Sequence, residues 1–286
     1  MRINELHLLS KICLTKGLNQ MPSINELKHL RSLSVKKYRQ QYGQFLVEGD
    51  KMVSELLGQS RIEVFSIYAL EPWIEKNARF LRQLYAKINA VTIAELAKIS
   101  TLTTPNQVLA VAGLPVSQDF SSTDPLQVGA GSIAATCELA STDLCFYLDG
   151  IQDPGNMGSI LRVADWFGIP AVFCSPNCVD VFSPKVVQAS MGAIFRVQSW
   201  EVELSRIVAA SPQISIIGAV LEGENIFESK LPTTGLLVIG NEGHGISIQV
   251  EKMLTHRITI ARHPKGGAES LNAAVAAGIM AAVFRR

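Results

Sequence analysis

The sequence predicts an α/β protein whose C-terminal half forms a mostly parallel sheet and is preceded by a smaller α/β domain. Short apolar strands alternate with helical patterns in two regions, and a stretch rich in Ser, Thr, Gly and Ala separates them. Strands that alternate with helices form parallel sheets with both faces covered. The chain has 286 residues, of which 48% are hydrophobic, so it can bury a large core.

The first folded domain is expected to span residues 23–116. Ser23 followed by Glu26 is a capping-box pattern, and leucines recur behind it at helical spacing. Strands and helices then alternate as far as "NQVLAVAGLP". Residues 1–22 lack the apolar core of a signal peptide and are interpreted as an N-terminal extension.

A basic run lies near the start of this domain. Residues 28–39 contain five cations and a histidine but no acid, while the net charge of the whole chain is only +1. The run is either a solvated helix face or a patch that contacts phosphates. Tyr38 and Tyr42 lie within and just after it, which suits nucleic acid. The predicted RNA-binding residues are Lys28, Arg31, Lys36, Lys37 and Arg39.

Residues 117–142 are interpreted as a linker because Ser, Thr, Gly, Asp and Ala dominate them. Within them, Gly129, Gly131 and Ala134 have the spacing of a dinucleotide-binding fingerprint. That fingerprint needs a strand before it and a helix after it, and only residues 126–128 supply apolar character here. A nicotinamide-dependent oxidoreductase therefore stays an alternative function.

Three loops of the second domain, residues 143–286, are expected at the carboxyl ends of strands, where parallel sheets bind ligands. The loop at 149–159 precedes an apolar helix that carries a single cation, Arg162. The loop at 240–245 has three glycines, and the loop at 263–272 ends in residues that favour helix caps. The simpler interpretations are a salt-bridged arginine, a tight turn and a plain cap.

The order of three stretches resembles a known family. "NMGSILRVADWFG", "LVIGNEGHGIS" and "ESLNAAVAAG" are similar to the three motifs of the SpoU (TrmH-like) RNA ribose 2′-O-methyltransferases of the SPOUT superfamily. The resemblance covers 143–286 and, more weakly, 23–115, which is similar to the family's RNA-binding domain. It implies a deep trefoil knot, which is nearly absent from other proteins, and S-adenosylmethionine bound in that knot. It also implies a homodimer formed through the C-terminal domain.

The resemblance implies roles for individual residues. Arg162 would act on the ribose 2′-hydroxyl, either as a base or, as the arginine pKa above ~12 favours, by stabilising the developing alkoxide. Asn156 would orient Arg162 or the ribose, and Glu242 would fix its loop or position the nucleophile. The predicted catalytic residues are Arg162, Asn156, Glu242, Ser270 and Asn272. The predicted cofactor contacts, mainly through the backbone, are Leu221, Gly240, Asn241, Gly243, Ile260, Ser270 and Leu271.

Two of the departures from the family pattern affect expected contacts, while Ser159 and Val163 are a milder change. Residues 261–267 replace the usual Pro-Met pair after the last strand, which adds positive charge near the expected RNA path. Gln188 stands where many relatives carry arginine, so one phosphate contact is in doubt.

Composition sets the remaining expectations. The five cysteines have no framework spacing, which indicates a reducing compartment, here the cytoplasm. Cys174 and Cys178 have no histidine nearby, and a sulfonium donor needs no metal, so no metal site is expected. No apolar run reaches the ~18 residues of a membrane helix. A non-catalytic RNA-binding relative is a further alternative, and the sequence does not choose between rRNA and tRNA.

Overall fold

The structure, a computed structural model, describes residues 22–81, 84, 86–115 and 133–286. These residues form two compact units, one within 22–115 and one made of most of 133–286. The predicted N-terminal extension lies outside the described residues except for Pro22. Gly129 and Gly131 of the possible dinucleotide fingerprint also lie outside them.

The first unit is a mixed sheet covered by helices. Its strand order is β1-β4-β2-β3, with β4 antiparallel to β1 and β2, and β2 parallel to β3. The strands are β1 (Gln44–Glu48), β2 (Val64–Ala69), β3 (Lys87–Ala90) and β4 (Val108–Gly113). The helices are α1 (Ile24–Ser32), α2 (Lys36–Tyr42), α3 (Asp50–Leu57), α4 (Glu71–Leu81) and α5 (Ile93–Ile99).

The predicted cap at Ser23 is confirmed in part. The Ser23 hydroxyl accepts a hydrogen bond from the Glu26 amide at 3.2 Å, which begins α1 as expected. The Glu26 side chain does not complete the capping box. It accepts instead from the Tyr68 hydroxyl at 2.7 Å and pairs with Lys87 at 3.1 Å, because those groups are within reach in the folded unit.

The second unit contains the predicted parallel sheet. Its strand order is β10-β8-β9-β5-β6-β7, and every neighbouring pair is parallel. The strands are β5 (Leu144–Asp149), β6 (Ala171–Cys174), β7 (Gln198–Glu201), β8 (Ile216–Asn225), β9 (Gly235–Gly240) and β10 (His256–Thr259). The helices are α6 (Ile133–Thr142), α7 (Pro154–Trp166), α8 (Pro184–Ser190), α9 (Leu204–Ala210), α10 (Ile248–Glu251) and α11 (Ala273–Phe284).

The apolar strands of the sequence lie in the centre of this sheet. Every residue of β5 is buried, as are the first five residues of β9, because helices cover both faces. Tyr147 shows how a polar atom is accommodated there: its hydroxyl donates to the Val202 carbonyl at 3.2 Å and accepts from the Leu204 amide at 3.0 Å. Among the described residues, no helix is long and apolar enough to span a bilayer.

The predicted linker is too long. Its last ten residues form α6, and Cys137 and Ala140 of that helix pack into the core of the second unit. The Ser, Thr and Ala content suggested a loop, but Ala is the strongest helix former, and small side chains let the helix lie close to its neighbours.

Candidate functional site

The order of the strands in the second unit creates a crevice between β5 and β9. From β5 the chain adds β6 and β7 on one side, and then crosses to add β8 on the other side of β9. Ligands of parallel sheets bind at such a reversal, outside the carboxyl ends of the strands. The segments that follow β5 and β9 carry the first and second predicted loops, so both loops border the crevice.

Three predicted catalytic residues form one chain of hydrogen bonds. The Asn156 amide nitrogen donates to Glu242 Oε1 at 2.7 Å, and the Asn272 amide nitrogen donates to Asn156 Oδ1 at 2.8 Å. We call this chain the Asn156 relay. Asn156 is 86 residues from Glu242 and 116 from Asn272 along the sequence, so the relay joins all three motif loops.

Two helices begin at the relay. Asp153 Oδ1 accepts from the backbone amide of Asn156 at 2.8 Å and caps α7. Asn272 Oδ1 accepts from the backbone amides of Ala274 and Val275 at 2.9 and 3.3 Å and caps α11. The loop predicted at 149–159 is therefore shorter than expected, because α7 already begins at Pro154. Helix N-termini carry partial positive charge, so the two caps favour negative charge in the crevice.

The glycine loop after β9 is a compact hairpin. The amide and carbonyl of Asn241 each bond to Gly245 at 2.9 Å. A Cβ at Gly240 would overlap the backbone of Gly245 and Ile246, so the loop requires glycine there.

Asn241, a predicted cofactor contact, is hydrogen-bonded within the glycine loop. Its side-chain oxygen accepts from the amides of Gly243 and His244 at 2.8 and 3.1 Å, and its nitrogen donates to the Gly150 carbonyl at 2.7 Å. With its backbone also paired to Gly245, Asn241 holds the shape of the loop. The Gly243 amide is likewise occupied by Asn241, which leaves only the Gly243 carbonyl for the predicted contact.

Sequence reasoning missed Asp149, the last residue of β5. Its side chain is buried, and Oδ2 accepts from the Ser247 amide at 2.7 Å, which ties the end of the glycine loop to the central strand. Ser175 fixes the other side of this strand end, since its hydroxyl accepts a hydrogen bond from the Gly150 amide at 2.9 Å. An acid at the end of a wholly apolar strand was the available signal, since carboxylates are rarely buried without partners.

Of the other predicted cofactor residues, Leu221 lies within β8, Gly240 ends β9, and Ile260, Ser270 and Leu271 follow β10. Thr259 at the end of β10 donates to the Leu221 carbonyl at 3.1 Å, which brings Leu221 close to the strand that leads into the half-buried Ile260. Leu221 and Leu271 expose 74% and 48% of their surface. Ser270 is exposed and forms no hydrogen bond to the described residues. These exposed leucine side chains offer apolar contacts for a ring system.

Arg162 lies on α7, two turns after Pro154, and its side chain is exposed. It forms neither a hydrogen bond nor an ion pair with any described residue, so the salt-bridged interpretation is wrong for this structure. No hydrogen bond connects it to the Asn156 relay either.

The predicted RNA-binding residues separate into two groups. Lys28, Arg31 and Lys37 are exposed on α1 and α2, and Lys36 is half-buried. Arg39 is only 2% exposed, and its Nη1 donates to the Leu33 carbonyl at 2.7 Å. The prediction that Arg39 binds RNA is therefore wrong: its guanidinium joins α2 to the end of α1.

A polar cavity of about 290 Å³ adjoins the glycine loop. Its lining includes Asp149, Gln152, Asn177, Asn241 and His244. Amide, carboxylate and imidazole groups line it, so it suits a ligand rich in hydrogen-bonding atoms. Among the described residues, no cluster of three or more histidine, cysteine or acidic side chains could hold a metal ion.

The thiols near the crevice differ in acidity. A hydrogen bond from Cys174 lowers the pKa of Cys178 to about 7, while burial raises the pKa of Cys145 to about 12. Cys178 Sγ also lies 3.2 Å from the Leu148 carbonyl.

Two family models match the chain. Residues 143–282 match the SpoU rRNA Methylase family, and residues 25–110 match the MRM3-like substrate binding domain. The chain is 26% identical over 260 residues to the 23S rRNA (guanosine(2553)-2′-O)-methyltransferase RlmP of Bacillus subtilis, which covers 89% of this chain and 94% of the relative.

Solved structures share the fold over more than nine-tenths of the chain. A putative RNA methyltransferase of the TrmH family from Porphyromonas gingivalis is 37% identical, with a TM-score of 0.75, over 93% of this chain and 99% of the other. The SpoU methyltransferase AviRb from Streptomyces viridochromogenes, in complex with AdoMet, has a TM-score of 0.73 at 24% identity over 92% and 97% of the two chains. Since the motif loops meet in one crevice and these matches span both units, the chain belongs to the SpoU (TrmH-like) family of RNA methyltransferases.

Proposed function

We propose that this protein transfers a methyl group from S-adenosylmethionine to the 2′-hydroxyl of a ribose in structured RNA, with rRNA as the substrate. The observation that carries the proposal is the Asn156 relay, which joins the three motif loops at the β5/β9 crevice. The 2′-O position agrees with the activity in the name of the Bacillus subtilis relative. The comparisons give no support to the oxidoreductase alternative.

The predicted cofactor residues within β8, at the end of β9 and after β10 fit S-adenosylmethionine. Gly240 allows the backbone of its loop to pack closely, and the exposed side chains of Leu221 and Leu271 offer apolar surface for the adenine. The half-buried Ile260 follows the strand that bonds to Leu221. Main-chain groups of these segments, with the Ser270 hydroxyl, would supply the polar contacts. When bound, the cofactor supplies a methyl group on a positively charged sulfur, which is a good leaving group without a metal.

The Asn156 relay would position the acceptor ribose. Glu242 fixes the orientation of the Asn156 amide, and Asn272 is fixed in turn because its oxygen caps α11. Rigid placement in line with the reacting bond is the main requirement of methyl transfer to a hydroxyl.

Arg162 would lower the energy of the negative charge that develops on the ribose oxygen. Its guanidinium stays protonated because its pKa is above ~12, so it stabilises an alkoxide better than it removes a proton. Its exposed side chain without partners among the described residues leaves its donors available for the ribose or the adjacent phosphate. The hydroxyl proton would leave to solvent as the oxygen–carbon bond forms.

We further propose the knot that the family resemblance implies. After β10, at one edge of the sheet, the chain continues through residues 260–272 and reaches Asn156 at the start of α7, next to the central strand β5. Helix α11 then packs against α7. Passage from the edge to the centre across the strand ends is the path that such a knot requires.

A homodimer and a cytoplasmic location belong to the same proposal. Trp166 on α7 is 84% exposed and Val275 on α11 is 50% exposed, which leaves apolar surface on two helices that pack together. A second copy would cover that surface. The four described cysteines are free thiols, which supports a reducing compartment.

The test is transfer of tritiated methyl from S-adenosylmethionine to RNA from a strain that lacks the enzyme. A 2′-O-methyl group blocks alkaline cleavage of the next phosphodiester bond, so we expect the label in alkali-resistant dinucleotides. S-adenosylhomocysteine should raise the melting temperature and NAD should not. Label released as mononucleotides would contradict ribose methylation, and RNA binding without transfer would favour the non-catalytic alternative.

A further inference from the structure

We propose that Tyr38 and Tyr42 form a stacking platform for an unpaired base of the substrate RNA, flanked by cations that contact its phosphates. We call these two residues the tyrosine platform. The inference rests on the proposed function, since that function makes RNA the substrate. It adds a recognition mode and the residues responsible for it, within the unit that matches a substrate binding domain.

The two rings form one aromatic surface. Tyr38 and Tyr42 are four residues apart on α2 and therefore lie on the same face of the helix. Their planes are 16° from parallel, with centroids 6.3 Å apart. They are 37% and 44% exposed, so solvent reaches both. Parallel, accessible rings are the arrangement on which nucleobases stack.

The surroundings hold the platform in place before RNA binds. The His29 ring meets Tyr42 edge-on, with centroids 4.5 Å apart, and His29 Nε2 lies 2.8 Å from Gln44 Oε1. Arg39, between the two tyrosines in sequence, is buried and bonds to the Leu33 carbonyl, which fixes α2 against α1. A preformed surface loses little side-chain entropy on binding.

The charge around the platform favours a polyanion. Lys28, Arg31 and Lys37 are exposed on α1 and α2, and α2 contains no acid. The single acid of α1, Glu26, is neutralised by Lys87 at 3.1 Å. In an RNA ligand, the phosphates would pair with these cations and a base would stack on the two rings. Because a base inside a duplex is already stacked on its neighbours, the ligand is an unpaired nucleotide.

The experiment measures methyl transfer and RNA binding for variants of the full-length protein. For Tyr38→Leu we expect the Kd and KM for RNA to rise roughly tenfold, as for the loss of one stacked base, with kcat unchanged. Tyr38→Phe keeps the ring and should bind as the wild type does. Phe80→Leu removes an exposed aromatic ring elsewhere in the same unit, with 62% exposure, and serves as the matched control.

Salt dependence separates stacking from charge. Tyr38→Leu should shift the plot of log Kd against log salt without changing its slope, whereas Lys37→Ala should lower the slope by about 0.7 for a single strand. A fully paired RNA duplex should bind the wild type and Tyr38→Leu equally. Tyr42→Leu should repeat the result, and circular dichroism verifies that each variant is folded.

Three results would overturn the platform. Wild-type RNA affinity in Tyr38→Leu and Tyr42→Leu would show that neither ring contacts RNA. Equal losses in the Phe and Leu variants would assign the effect to the hydroxyl group. An equal loss with duplex RNA would exclude an unpaired base. A wild type that binds RNA through the platform but transfers no methyl group would instead refute the proposed function and leave the platform intact.

Discussion

Substitution of Glu242 tests the Asn156 relay most directly. Glu242 accepts a hydrogen bond from the side-chain amide of Asn156 at 2.7 Å. A hydrogen bond to a charged group contributes about 1.5–3 kcal/mol. The carboxylate is exposed, so water reduces this contribution toward its lower end. Glu242→Ala should therefore cost about 1.5 kcal/mol of transition-state stabilisation, which is roughly a tenfold loss of kcat.

Glu242→Gln distinguishes positioning from charge. Its side-chain oxygen still accepts from Asn156, now as a neutral hydrogen bond, so about 1 kcal/mol or less is lost and kcat should fall at most roughly fivefold. Both variants should keep the KM for S-adenosylmethionine and the pH profile of kcat. Glu138→Ala on α6 removes an exposed carboxylate outside the crevice and is the matched control.

The assay is incorporation of tritiated methyl into RNA under single-turnover conditions. Because Glu242 and Asn272 both act through Asn156, the double variant Glu242→Ala with Asn272→Ala should lose less than the product of the two single losses. A Glu242→Gln variant as slow as Glu242→Ala would mean that the negative charge itself is required. Two variants with wild-type kcat would refute the relay as a positioning device.

Three further predictions concern the arginine, the glycine loop and the thiols. Arg162→Ala should lower kcat by a factor on the order of 10²–10³ with RNA affinity nearly kept, and Arg162→Lys should fall between, as single-turnover rates would show. Gly240→Ala should weaken S-adenosylhomocysteine binding about tenfold in calorimetry because a Cβ there overlaps the backbone of its own loop, whereas Gly267→Ala, with open space, should not. Iodoacetamide at pH 7.5 should alkylate Cys178, whose pKa is lowered to about 7, faster than Cys145, whose pKa is raised to about 12. The alkylation rate of Cys178 should fall below pH 6 as its thiolate is protonated. Equal rates for the two thiols at pH 7.5 in peptide mass spectrometry would contradict this order.

The parallel sheet was predictable because its signal is local. Wholly buried strands such as β5 and β9 must be apolar throughout, and that pattern is visible in any short window of sequence. The meeting of the three loops was also expected, since parallel strands end at one edge. The partners within the crevice were not predictable, because the contact between Asn156 and Glu242 depends on the strand order and not on their separation in sequence.

Two wrong predictions, the RNA-binding role of Arg39 and the length of the linker, have a common physical origin. Arg39 and the end of the predicted linker were both interpreted from composition, which does not report burial. A guanidinium can be buried when a carbonyl such as that of Leu33 satisfies it, and a run of small residues can be a packed helix. Both assignments needed the position of a neighbouring element, α1 for Arg39 and the sheet for α6.

Hydrogen-bond satisfaction divides the predicted catalytic residues into two kinds. The relay groups of Asn156 and Asn272 are engaged with Glu242, with each other or with helix amides, so they contribute rigidity more than new contacts. Arg162 has no such partner among the described residues, and its donors are available when negative charge develops on the acceptor oxygen. An interaction gained only in the transition state raises kcat directly. The hydrogen bonds of the relay exist before the reaction, so they raise kcat only by positioning the ribose. The loss for Arg162→Ala should therefore exceed the loss for any single relay variant, and the reverse order would mean that the relay itself contacts the reacting ribose.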